Sequence, residues 1–163
     1  MTHKRNRAIE TAIIIPAPIR EVWQAWTTTA GVLSFFAPAC NIDLRVDGPY
    51  EMYFNLDAEP GLRGGEGVKI LAIQPPTMLS FTWNAPPHLP NVRNQHTHVV
   101  VRLEELAGQQ TQVTLYHDGW GEGDEWNQAF AYFSSAWQDT VLPRLRHRFE
   151  VGPVDWEKPP KFG

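Results

Sequence analysis

Three histidines are the residues whose type and spacing come closest to a chemical site. His96 and His98 are separated by one residue, and His117 follows in the next predicted strand. Imidazole groups brought together in threes are typical zinc ligands. Pairing Val99 with His117 across the predicted hairpin, however, turns His117 inward and leaves His96 and His98 on the outer face, because side chains alternate along a strand. We therefore predict that these histidines form no metal site.

His117 remains a candidate for acid–base chemistry. Its neighbour Asp118 cannot orient the imidazole ring, because adjacent strand residues face opposite sides of a sheet. No serine lies in a nucleophile-elbow pattern, and Cys40, the only cysteine, has the alternating setting of a small core hydrophobe. Two interpretations of His117 stay open, a buried histidine with satisfied hydrogen bonds or the acid or base of an enzyme. Otherwise we predict no catalytic residue, and we favour a protein that is not an enzyme.

Composition opposes several other classes of function. The chain has 14 basic and 18 acidic residues, a formal net charge of −4, and so lacks the positive charge that binds nucleic acid. The glycine-rich stretch 61–67 has no Gly-Lys-Ser/Thr ending and no helix behind it, so it is not a phosphate cradle. It is either a mobile loop beside the loop 85–95 or a plain connector. We expect no cofactor.

Aromatic side chains dominate the positions that we predict to face inward. Seven of the 163 residues are tryptophan, an amphipathic residue that suits a thick core or a lined cavity. A cavity with aromatic walls and few polar groups suits a flat or apolar small molecule. The candidate ligand-binding residues are Phe36, Met52, Phe54, Phe81, Trp83, His117, Trp126, Phe133 and Trp137.

These side chains must be positioned by short strands and one long helix. The first strand, 8–15, leads through Pro18 into a helix that ends near Trp26, and a second short helix covers 29–36. Period-two alternation then predicts six strands. They form three hairpins, at 40–46 with 50–57, 67–74 with 78–84, and 96–106 with 110–118. The loop 85–90 is too rich in proline to join the sheet and is predicted to lie on the surface.

The predicted C-terminal helix, 124–148, carries a narrow aromatic stripe that must pack against a concave surface. The stripe consists of Trp126, Phe130, Phe133, Trp137 and Val141. Pro143 should kink the helix near its end, because it removes a backbone donor. Basic side chains near the helix end would complement the helix dipole. They are Arg144, Arg146, His147 and Arg148.

Several sequence segments, specific when taken together, carry a resemblance to a known family. They are Ile15–Pro18 with Val22–Thr27, Gly67-Val68, Pro75-Pro76, Leu79 with Phe81–Trp83, Thr114–Gly119, and Trp137 with Val141-Leu142 and Leu145. In these the chain resembles the START-like, helix-grip superfamily, also called the polyketide cyclase/dehydrase and lipid-transport superfamily. Within it the chain resembles the family named for the heat-shock protein 90 ATPase activator homologue. Two departures from the family pattern, Phe35-Phe36 and Gly48-Pro49, would reshape a cavity.

The resemblance implies an α+β helix-grip fold. It has a curved antiparallel sheet of about seven strands, two short helices after strand one, and a long C-terminal helix that grips the sheet around a cavity. We expect non-enzymatic binding of a small hydrophobic or aromatic molecule, or a lipid, in that cavity. Two alternatives stay open: an enzyme of the cyclase, aromatase or hydrolase type that uses His117, and a co-chaperone-like interaction module. The family name does not itself imply stimulation of a chaperone. Chaperone contact stays open without support from any particular residue, and stress response is expected from the resemblance.

We expect one helix-grip domain, 8–149, with flexible or extended termini at 1–7 and 150–163. No apolar run approaches the ~20 residues that cross a bilayer. The basic N-terminus also lacks the apolar core of a signal peptide, so the protein is expected to be cytoplasmic. An edge strand and exposed aromatic residues would permit a homodimer.

Overall fold

The computed structural model describes residues 7–162, so the predicted flexible segment 1–7 lies outside the described residues except for Arg7. The order of elements matches the α+β pattern expected from the sequence. The elements are β1 (Ile9–Ile15), α1 (Ile19–Thr27), α2 (Thr29–Leu33), β2 (Ala39–Ile42), β3 (Tyr50–Tyr53), β4 (Ile70–Gln74), β5 (Met78–Trp83), β6 (Thr97–Leu106), β7 (Gln110–Asp118), α3 (Asp124–Ser135), a π-helical turn (Ala136–Val141) and α4 (Leu142–Glu150).

The strands form two sheets where the resemblance predicts one. Five antiparallel strands pair in the order β1-β7-β6-β5-β4, and β2 pairs with β3 separately. The short pair is joined to the chain before β4 by isolated bridges, Pro49 to Lys69 and Tyr53 to Gly64. The register of β4 against β5 shifts nearby, between Ile70 and Ala72, as in a β-bulge. The helix-grip architecture is otherwise as expected.

The chain turns sharply from α1 into α2 at a shared cap. The backbone N–H of Thr28 donates to the carbonyl of Gln24 at the end of α1, and its hydroxyl accepts from the N–H of Gly31 in α2. A side chain at Gly31 could not fit, because its Cβ would lie 2.1 Å from the carbonyl oxygen of Gln24. The turn therefore buries Val22, Trp23 and Trp26 together under the sheet, as their size predicts.

The first predicted hairpin is shorter than expected. Alternation predicts strands at 40–46 and 50–57, but β2 ends at Ile42 and β3 ends at Tyr53. Leu44 and Val46 are exposed, so alternation in this stretch does not reflect a buried face. The segment between the strands folds back on itself, and the N–H of Asp47 donates instead to the carbonyl of Ile70 at 2.8 Å.

The last hairpin has the predicted register. Val99 pairs with His117, Val101 with Leu115 and Leu103 with Val113. These six side chains are buried, whereas His98 is exposed and lies 3.6 Å from Asp118 on the outer face. The turn between the strands has Gly108 and Gln109 at positive φ, which suits the short loop 107–109.

The C-terminal helix is irregular in a different place from the predicted kink at Pro143. The irregularity precedes this proline as a π-helical turn, in which the N–H of Leu142 donates to the carbonyl of Trp137, five residues back. Pro143 then lies in the first turn of α4, where a missing N–H is tolerated. The helix therefore continues to Glu150 and packs over β1. Two residues of its stripe, Phe133 and Trp137, contact His117 on the inner face of β7.

The tail after α4 contains no helix or strand up to residue 162. It is tied to α2, since the N–H of Val154 donates to the carbonyl of Ser34 at 2.8 Å and the indole of Trp156 donates to the carbonyl of Leu33 at 2.7 Å. Val154 is buried as a result. Within residues 7–162 there is no helix with the length and apolar character that crossing a membrane requires.

Candidate functional site

A cavity of about 700 Å³ lies between the C-terminal helix, the end of β5 and the loops that follow β3 and β5. Its helical wall comes mostly from the π-helical turn and its flanks. The π turn provides Ala136, Trp137, Thr140 and Val141, and Phe133 and Arg144 lie on either side of them. A wider helical turn of this kind is frequent at functional sites. The volume is within the range of small-molecule sites in proteins, about 300–1,000 Å³.

Of the nine candidate ligand-binding residues, five line this cavity and four do not. The five are Phe36, Phe54, Trp83, Phe133 and Trp137. Their rings form one continuous wall, in which Phe36, Trp83 and Trp137 are mutually 5.7–5.8 Å apart between ring centroids. Such separations are those of favourable aromatic pairs. Contact of these rings with a ligand remains a prediction.

The four other candidates, Met52, Phe81, His117 and Trp126, lie away from the cavity wall. Met52 and Phe81 are fully buried in the main core, where Phe81 packs on Tyr50 at 4.5 Å. Trp126 belongs to a second, smaller core with Ala85, Leu89, Val92 and Ala129. The segment 85–90 forms no strand, as predicted, but the prediction that it lies on the surface is wrong for Ala85 and Leu89, which are buried in this second core.

His117 lies behind Trp137, on the side away from the cavity. It is fully buried, and the indole N–H of Trp137 donates to its Nδ1 at 3.0 Å. Since an indole nitrogen can only donate, Nδ1 carries no proton and Nε2 does. Nε2–H then donates to the hydroxyl of Thr97 at 2.6 Å, and this hydroxyl donates to the carbonyl of Trp83. The chain of bonds orients Trp137 and leaves neither imidazole nitrogen free.

Burial keeps this imidazole neutral. Burial, with a smaller effect from the charge of His98, lowers the pKa of His117 to about 3. A general acid or base acts best with a pKa near the working pH and must reach the reacting proton. His117 meets neither condition in this arrangement, and the structure matches the interpretation of a satisfied core histidine.

One rim of the cavity is organised by a carboxylate. The Glu66 side chain accepts the backbone N–H groups of Gly61, Arg63 and Gly64. Its Oε1 also lies 3.6 Å from the guanidinium of Arg93, which donates to the carbonyls of Gly61 and Gly64. The glycine-rich stretch is therefore tied by specific bonds to the loop 85–95.

We expect Glu66→Ala to open this rim without unfolding the protein. Loss of charge-assisted hydrogen bonds should raise the rate of tryptic cleavage after Arg63 by roughly tenfold, because local opening becomes easier by about 1.4 kcal/mol. Limited proteolysis followed by mass spectrometry measures this rate. Glu59→Ala, an exposed substitution in the same loop, is the control. Equal cleavage of the two variants would show that Glu66 does not organise the loop.

Sequence reasoning missed the polar part of the lining. Arg63, Arg93 and Arg144 all line the cavity, whereas the position of Arg144 near the helix end predicts only a complement to the helix dipole. Its spacing held a signal: Arg144 follows Trp137 by seven residues, which places both on one side of a helix. No comparable signal existed for Arg93, whose position depends on how the loop 85–95 folds.

A sheet gripped by a C-terminal helix, with an aromatic-walled cavity between them, defines a START-like, helix-grip protein. A model of the family described as "Activator of Hsp90 ATPase homolog 1-like protein" matches residues 16–150. The chain therefore belongs to this family, as the resemblance predicted.

Solved structures share the fold at low sequence identity. The Aha1 dimer from Colwellia psychrerythraea has a TM-score of 0.69 and 22% identity, over 90% of this chain and 98% of that one. PFC0360w, an HSP90 activator from Plasmodium falciparum, has a TM-score of 0.63 and 16% identity, over 88% and 94%. DynU16, from the dynemicin biosynthetic locus, has a TM-score of 0.65 and 19% identity, over 90% of this chain but 48% of DynU16, so this chain spans about half its length. No curated protein matches this chain.

Proposed function

We propose that this protein binds a small hydrophobic or aromatic molecule in the cavity between the sheet and the C-terminal helix, without catalysing a reaction. The observation that carries the proposal is the continuous wall of rings around a cavity of about 700 Å³. Apolar walls with a few polar groups are the usual composition of a small-molecule site. Membership of a helix-grip family supports the same conclusion.

The enzyme alternative has less support from the geometry. It requires His117 to act on a substrate, but both imidazole nitrogens are hydrogen-bonded and the residue lies behind Trp137. The co-chaperone alternative and a homodimer are supported by the descriptions of two structural neighbours, an HSP90 activator and an Aha1 dimer. Chaperone contact, stress response and cytoplasmic location stay proposals for this chain.

A neutral fluorescent probe tests the binding proposal. N-phenyl-1-naphthylamine is flat and apolar, and its emission rises in apolar surroundings. We expect saturable binding, with energy transfer from Trp83 and Trp137 because both line the cavity. Ala136→Trp, which fills the cavity from the helical wall, should weaken binding roughly tenfold or more, about 1.4 kcal/mol.

The control is Gln128→Trp, which adds the same side chain at an exposed position of the same helix. It should leave the affinity unchanged. Circular dichroism confirms that both variants are folded. Absence of saturable binding, or equal binding by Ala136→Trp and the original protein, would refute the proposed cavity as the site. Native mass spectrometry of the purified protein adds a search for a co-purifying molecule.

A further inference from the structure

The charged side chains of the cavity have one sign. Among the described residues that line it, three are arginines (Arg63, Arg93 and Arg144) and none is Asp or Glu. This sign is opposite to that of the whole chain, whose formal net charge is −4. An apolar cavity with basic groups is complementary to an apolar molecule that carries a negative group.

The three arginines differ in what occupies their donors. Arg93 donates to the carbonyls of Ala85, Gly61 and Gly64 and lies 3.6 Å from Glu66. Its role in holding the rim therefore uses most of its hydrogen-bonding capacity. The Nε of Arg63 donates to the carbonyl of Ala58 at 2.9 Å, which directs that side chain along its own loop.

Arg144 is different because it has no oxygen acceptor among residues 7–162. Its Nε is buried without a hydrogen-bond partner, although the residue lines the cavity. Its guanidinium lies 5.3 Å from the ring centroid of Trp156, a cation–π contact that involves no oxygen acceptor. Burial lowers the pKa of Arg144, and no carboxylate offsets that effect. Arg144 as a whole is half-buried, and no acceptor for its terminal nitrogens is present among residues 7–162. An oxyanion in the cavity would accept from these terminal nitrogens, whereas the buried Nε is out of its reach.

We propose that the ligand of this cavity is an apolar, aromatic molecule bearing a carboxylate or a comparable oxyanion, and that Arg144 binds that group. The inference rests on the proposed function, because it assigns chemistry to the same cavity. The rings of Phe36, Trp83 and Trp137 contact the apolar part of the molecule. Trp156, which lies in the tail after α4, packs on the guanidinium of Arg144. The indole of Trp156 is in turn hydrogen-bonded to the end of α2.

Two probes with the same ring skeleton test this inference. The sulfonate 8-anilinonaphthalene-1-sulfonate is the anionic counterpart of neutral N-phenyl-1-naphthylamine. At low salt and pH 7 we expect the anionic probe to bind about tenfold more tightly. Arg144→Met should lower the affinity for the anionic probe about tenfold and leave the affinity for the neutral probe unchanged. Arg144→Lys, which keeps the charge but loses the planar fork, should restore part of the affinity for the anionic probe.

Arg146→Met is the matched control, since it removes the same charge from an exposed position of α4. It should leave both affinities unchanged, which separates a specific contact from a change in overall charge. Equal affinities for the two probes, or equal losses of both in Arg144→Met, would overturn the anion assignment while leaving the binding proposal intact. Failure of both probes to bind, or insensitivity of both to Ala136→Trp, would overturn the two proposals together.

Discussion

Replacing Phe36 by alanine is expected to lower the free energy of unfolding by about 3–5 kcal/mol, the range measured for buried Phe→Ala changes. Phe36 lines the cavity yet is 1% exposed. Its ring lies within 5.5–6.1 Å, between centroids, of five other rings from α1, the segment after α2, the end of β3, β5 and the π-helical turn. Truncation would remove the group that joins these elements, and the cavity would extend into the core.

Phe54→Ala is the matched comparison for this prediction. Phe54 lines the same cavity and packs on Phe36 and Trp83, but it is 44% exposed. Its loss should cost about 1 kcal/mol or less, because less area leaves water on folding. Urea unfolding followed by circular dichroism measures both values. Similar losses in the two variants would show that Phe36 does not join the core to the cavity wall.

The neutral His117 is expected to make the protein sensitive to acid. Between pH 7 and pH 4.5, this one residue should lower the free energy of unfolding by roughly 2–3 kcal/mol. Its pKa in the folded protein is lowered to about 3, whereas the pKa of a histidine in an unfolded chain is about 6.5. Between those values the unfolded chain binds a proton that the folded protein does not bind. The stability that the neutral His117 contributes is therefore fully present above the unfolded pKa of about 6.5. It is lost as the pH falls from there towards the folded pKa of about 3.

The contribution of His117 is separated from that of other groups by a difference between variants. The glutamine of His117→Gln has an amide donor and acceptor but no titrating group. Its free energy of unfolding should therefore fall less than that of the original protein between pH 7 and pH 4.5, and the two losses should differ by roughly 2–3 kcal/mol. His88→Gln, a substitution of an exposed histidine, should fall as the original protein does. Urea unfolding at the two pH values gives each difference. Parallel losses in the original protein and His117→Gln would mean that the buried imidazole becomes protonated without cost.

Acid sensitivity also bears on the enzyme alternative. If His117 acted on a substrate, its pKa would need to lie near neutrality and a ring nitrogen would need access to the cavity. NMR titration of the imidazole signals reads the pKa directly. A value near 3 fits a residue that positions Trp137, whereas a value near 7 would favour an acid or base.

How much of this molecule the sequence predicts depends on whether a feature is local. Strand alternation gave the register of the last hairpin, with Val99 opposite His117, because that pairing needs two neighbouring strands and a short turn. Helical spacing likewise placed Phe133 and Trp137 on the buried stripe. Alternation reports which face a side chain is on but not how deep it lies. Met52 and Phe54 have the same place in the alternating pattern and are predicted to face the same side. Met52 is nevertheless fully buried and Phe54 is 44% exposed, because β3 ends at Tyr53, between them.

The sequence by itself determined the order of elements and the aromatic character of the inner surface, since these follow from short-range periodicity. The helix-grip class came from the resemblance of several sequence segments to a known family. The tertiary structure alone decided which inward residues face the cavity and which fill the core. It also decided that His117 bonds to Trp137 and Thr97, and that Arg144 is left without an acceptor. These facts depend on contacts between residues that are far apart in the chain, such as Trp156 and Leu33, which are separated by 123 positions. Such contacts leave no periodic trace along the chain.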